Sequence, residues 1–192
     1  MQQELLASRV GRALNPFFVF TTLFGLAAVV TTGSIRRGLL LLSLEVLAAT
    51  FVVVYLALRA RANKVTDFWL PLREERIVPA TILLAVAVGL QASLAVAGAP
   101  RQLAVLVGSM LITALFMALL TLWWKASVHA AVAGHAAVWG ATIFGPLSIP
   151  FALAVPVVMW ARVAEQRHTT GQVIAGASVG VLVAAVSLSA TA

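Results

Sequence analysis

Two histidines stand with cations in polar breaks between apolar runs: His129 closes Lys125-Ala-Ser-Val-His129, and His168 closes Arg162-Val-Ala-Glu-Gln-Arg-His168. The chain holds three histidines in 192 residues, so two at such boundaries carry information. A neutral imidazole can attack phosphorus in line, and a second can protonate the departing alkoxide. Guanidinium or ammonium groups can hold the equatorial oxygens as charge spreads over them. This chemistry needs two imidazoles and several cations, and the candidates are His129, His168, Lys64, Arg73, Arg76, Lys125 and Arg162. A catalytic zinc site wants three protein ligands, and neither His-Glu-x-x-His nor a paired-carboxylate motif occurs, so no metal or other cofactor is expected. His135 lies six residues beyond His129, nearly two helical turns deeper, and reads as a structural hydrogen-bonding residue.

The elements that must position these groups follow from composition. Hydrophobic residues make up 62% of the chain and charged residues 10%, with a mean hydropathy of +1.05, which is far from the range of soluble domains. Seven apolar runs can be drawn, at 16–33, 39–60, 78–98, 103–124, 126–145, 147–164 and 171–192. Runs of about 20 residues cross a hydrocarbon core of roughly 30 Å as helices, and in lipid each backbone amide needs the partner a helix supplies. The expected fold is therefore all-α, one integral membrane domain over residues 1–192 with six to seven spanning helices. The sixth run is short and carries Pro150 and Pro156, which predicts a kinked helix. The run after the polar, basic 1–15 stretch is too long, and too directly followed by others, to be a cleaved signal peptide.

The net charge of +7 does not imply nucleic acid, because the basic residues sit singly at segment ends. Anionic headgroups and membrane lipids are the partners such charges fit. The longest polar break, 59–77, holds five of the thirteen basic residues, and Phe68, Trp69 and Leu70 within it predict a segment lying in the interface. Trp123 and Trp124 mark a membrane boundary in the same way. Two crossings separate this break from 125–129, and two more lead to 162–168, so all three share a side. That side carries ten Lys and Arg residues against three (Arg36, Arg37 and Arg101), and the positive-inside rule places it in the cytoplasm. Glu45 lies inside an apolar run, where a carboxylate is costly; it is a functional candidate, with structural pairing the preferred reading.

In residue type, order and spacing the chain resembles the type 2 phosphatidic acid phosphatase superfamily over roughly 64–176. The pattern of that superfamily is Lys-x6-Arg-Pro, Pro-Ser-Gly-His and Ser-Arg-x5-His-x3-Asp. Arg162-x5-His168 matches the third motif and Ser127-Val-His129 the Ser and His of the second. The first is looser: Lys64 precedes Arg73 by nine positions, and the proline partner is Arg76-Ile-Val-Pro79. The resemblance implies that His168 is a nucleophile forming a phosphohistidine and His129 the general acid. Arg162, Arg73, Arg76, Lys64 and Lys125 would bind phosphate, with Ser127 adding its amide or hydroxyl. It further implies a metal-independent phosphatase acting on a lipid phosphate or diphosphate, polyprenyl or glycerolipid. Ala126, Val128, Ala161 and Gln172 depart from the pattern, Gln172 standing where the superfamily has the Asp that orients the nucleophile. Gln172 can accept the same hydrogen bond without the charge, so the alternative is an impaired member serving as a structural subunit beside a membrane-protein partner or further copies of itself. A proton-relaying transporter ranks lowest, since no repeated halves or paired broken helices occur.

Overall fold

The computed structural model describes residues 2–66, 72 and 74–191, and every regular element among them is helical. The helices are α1 (Gln2–Ala13), α2 (Pro16–Thr32), α3 (Ile35–Arg61), α4 (Ile77–Val96), α5 (Arg101–Thr121), α6 (Val128–Phe144), α7 (Ile149–Ala164) and α8 (Thr170–Ser187). Helices α2 to α8 fall on the seven apolar runs. Helix α1 occupies the polar N-terminal stretch, for which the sequence predicts no element. It buries Ala7 and Gly11 and packs on α7.

Five helical stretches are long and apolar enough to cross a membrane, and the pair α1 and α2, bent by 41°, makes a sixth. One of the five, Val128–Ala164, contains both α6 and α7. It turns back at the 3-10 turn Gly145–Ser148, where the Phe144 and Phe151 rings stack at 6.0 Å. At its other end the His168 ring meets the Lys125 carbonyl, so its two arms run side by side; the five to six candidate spans stand against the six to seven expected. Large apolar side chains point outward all along the bundle, among them Leu47, Leu153 and Leu182, as lipid-facing positions should. Pro150 sits in the first turn of α7, where its missing amide costs nothing, and Pro156 lies inside the same helix.

Local signals set the helix ends. Asn15, Ser34, Ser127 and Thr169 cap α2, α3, α6 and α8 with side-chain acceptors. The closest pairing is α6 with α8, and small residues permit it. A Cβ on Gly176 would run into the Ser127 carbonyl, and one on Gly180 into the Ala131 carbonyl. Backbone therefore rests on backbone, and this contact draws the start of α6 against the start of α8.

Candidate functional site

The Arg162-to-His168 spacing has a local cause. Helix α7 ends in a Schellman motif: Gln166 is left-handed (φ 55°), its N–H donates to Val163 O, and the Arg167 N–H donates to Arg162 O at 3.2 Å. The His168 N–H donates to the same carbonyl at 3.2 Å. Five intervening residues are thus what one helix end and its reversal require to bring an imidazole back beside the guanidinium one turn earlier. Thr169 then starts α8 through a capping box: Gln172 N–H donates to Thr169 Oγ1 and Thr169 N–H donates to Gln172 Oε1.

The motifs of α6 and α8 are joined through backbone. Ser127 N–H donates to Gln172 O at 3.1 Å, and His168 Nδ1 lies 3.2 Å from Lys125 O and 3.3 Å from Gln172 Oε1. Both partners of Nδ1 are acceptors, so Nδ1 carries the proton and Nε2 keeps its lone pair. Burial, then the nearby charges of Arg162, Arg76 and Lys125, hold the His168 imidazole down at about 4, against a weaker upward pull from the Lys125 carbonyl. At neutral pH His168 is an uncharged imidazole with an open Nε2, the state a nucleophile requires.

His168, His129, Arg162 and Arg76 line one cavity of about 280 Å³, close to the lower end of small-molecule sites at roughly 300 Å³. Arg162 is buried; its Nη1 pairs with Glu165 Oε2 at 2.6 Å, while its Nε has no partner among the described residues. Arg76 ends the 3-10 turn that opens α4, and Glu75 beside it accepts from Thr66 N–H and Oγ1 at 2.6 Å each, tying the turn back to the segment after α3. Burial and then Arg162 lower the Arg76 guanidinium from its usual value, and burial followed by Arg76, Arg167 and Arg162 does the same to the half-buried Lys125 ammonium. The remaining lining is nearly all apolar, from α2 to α6, with Glu45, Thr113 and Thr121 as polar points along it.

The other candidates fall elsewhere. Lys64 is exposed after α3 and does not line the cavity. Arg73, with Phe68, Trp69 and Leu70, lies outside the described residues. Ser127 is fully buried and also outside the lining: its Oγ caps Ala130 N–H and its amide is committed to Gln172. Lys125 contributes its carbonyl, which residue type cannot reveal. Glu165 was not anticipated, although its position three residues after Arg162 on one helix face is the signal that could have found it. His135 has the structural role expected. Ser109 Oγ donates to Leu106 O, so it accepts from both Trp139 Nε1 (3.0 Å) and His135 Nε2 (2.8 Å). Among the described residues no group of three His, Cys, Asp or Glu side chains is placed to hold a metal ion.

No known protein family, curated protein or solved structure matches this chain.

Proposed function

We propose that this protein is a membrane-embedded phosphatase that hydrolyses a lipid phosphate or diphosphate through a phosphohistidine on His168. The observation that carries the reading is the cavity itself. Two imidazoles and two guanidinium groups line it, His168 holds its Nδ1 on backbone and amide oxygens, and the rest of the lining is nearly all apolar. The phosphate would lie against Arg162 and Arg76 while the tail runs between the helices.

His168 Nε2 attacks phosphorus, the P–O bond to the lipid breaks, and His129, as the imidazolium that forms beside the bound phosphate dianion, gives its proton to the leaving oxygen and is left a neutral ring. Water, losing its proton to His129, then attacks the P–N bond and releases inorganic phosphate. Arg162 and Arg76 stabilise charge on the equatorial oxygens in both steps. Lys125 O and Gln172 Oε1 orient the imidazole and hold the proton of Nδ1 as the ring becomes cationic. The protein in detergent should release phosphate from polyprenyl or diacylglycerol phosphates without added metal, and His168→Ala should abolish that release. Unchanged turnover in that variant would overturn the mechanism.

A second reading, a catalytically silent subunit of a membrane assembly, is favoured by one observation: the side chain behind His168 is an uncharged amide. It predicts a stoichiometric partner on gentle extraction and no acid-labile phosphohistidine after substrate is added.

A further inference from the structure

Glu45 is 3% exposed in α3 and lines the cavity that holds the imidazoles. Its Oε1 accepts from Thr21 Oγ1 at 2.9 Å, and its Oε2 has no partner among the described residues. A carboxyl oxygen left without a partner in an apolar bundle is costly, and the cost is removed when a ligand supplies the missing group. A plain hydrocarbon tail could not do so.

Its depth is set by the neighbours. Thr21 follows Phe20, whose ring lies 6.4 Å from that of His135. His135 in turn stands six residues past His129 on α6, a helical rise of about 9 Å. Glu45 therefore meets the cavity on the His135 side, deeper than His129 by on the order of 10 Å. An extended chain advances roughly 3.5 Å per three bonds, so this depth corresponds to about eight bonds from phosphorus.

We infer that the cavity selects amphiphilic phosphates whose chain carries a hydroxyl about six carbons from the phosphate ester, with Glu45 Oε2 as its hydrogen-bond partner. This deepens the phosphatase reading and rests on it for the placement of the phosphate. A hydroxyl suits Oε2 in either protonation state, since it can both donate and accept. Glu45 is thus a specificity-determining residue, separate from the groups that touch phosphorus.

The test compares dodecyl phosphate with 6-hydroxydodecyl and 2-hydroxydodecyl phosphate, reading affinity and phosphate release separately in detergent. In the wild-type protein the 6-hydroxy compound should bind about tenfold more tightly than the other two. Glu45→Leu should level the three, while Glu45→Gln, which can still pair with a hydroxyl, should keep the preference. Equal wild-type affinities overturn the inference, and the wild-type comparison decides it even if the leucine variant fails to fold. A preserved binding preference with no phosphate released from any compound would sink the phosphatase reading and leave the Glu45 subsite standing.

Discussion

Replacing Gln172 by Glu puts a carboxylate where the amide oxygen stands 3.3 Å from His168 Nδ1. The change preserves the local fold, because Glu at this position completes a Thr-x-x-Glu capping box as well as Gln does. At 3.3 Å and an effective dielectric near 20, the attraction between a full negative charge and an imidazolium is about 5 kcal/mol, an upper bound. Opposite charges at such separations shift protein side chains by about 1–3 pH units, or roughly 1.4–4 kcal/mol. His168 begins at about 4 because burial and three cations disfavour its protonated form. The added carboxylate favours that form, so the value should rise to about 5–7. His168 must be neutral to attack, hence activity is lost as pH falls through its pKa, and the acid limb of kcat/KM should move upward by the same amount. At pH 8, where His168 is neutral in both proteins, the imidazolium developing during attack is stabilised. If half the charge has developed, the rate should rise roughly 3–30-fold. Nitrogen-15 NMR of labelled histidine follows the ring directly, with or without turnover. An unmoved or lowered His168 titration in Gln172→Glu would refute the placement of Gln172 behind Nδ1 and the tautomer argument built on it.

Three further substitutions test the framework. Gly176→Ala drives a Cβ into the Ser127 carbonyl and should cost about 1–3 kcal/mol while separating Ser127 from Gln172; Gly89→Ala, which meets nothing within 4 Å, should leave the thermal midpoint in detergent unchanged or slightly raised. Gln166→Gly relieves a left-handed residue at the end of α7 and should raise stability by up to about 1 kcal/mol in the same measurement, with no loss of phosphate release.

How much was legible in the sequence depends on whether a feature is local. Hydropathy is a property of each segment, and lipid forces each such segment to satisfy its own amides, so the all-α architecture could be read directly, with helix ends up to five residues from the run boundaries. Parity follows from counting crossings, which is why Arg76, Lys125 and the Arg162-to-His168 stretch could be placed at one end before their contacts were known. The Thr169-x-x-Gln172 cap was equally local and could have been recognised as a capping box. The orientation of His168 could not, because its two Nδ1 partners come from different helices, one of them a carbonyl 43 residues away. Residue type says nothing about which backbone oxygen faces a ring.

By itself the sequence determined that this chain folds as long apolar helices with paired His and cation residues at their boundaries, and that Arg162 and His168 are one helix end apart. Tertiary structure alone decided which of those groups share a cavity. It turned Lys64 outward, committed Ser127 to the backbone, and paired Glu165 with Arg162. It also set Glu45 into the wall beneath the imidazoles. The physical reason is the α6 and α8 contact: Gly134, Gly176 and Gly180 let carbonyls and Cα atoms touch, and that approach carries Lys125 O to His168. Helix formation is written along the chain, whereas the distance between helices depends on the shapes of surfaces that meet only after folding.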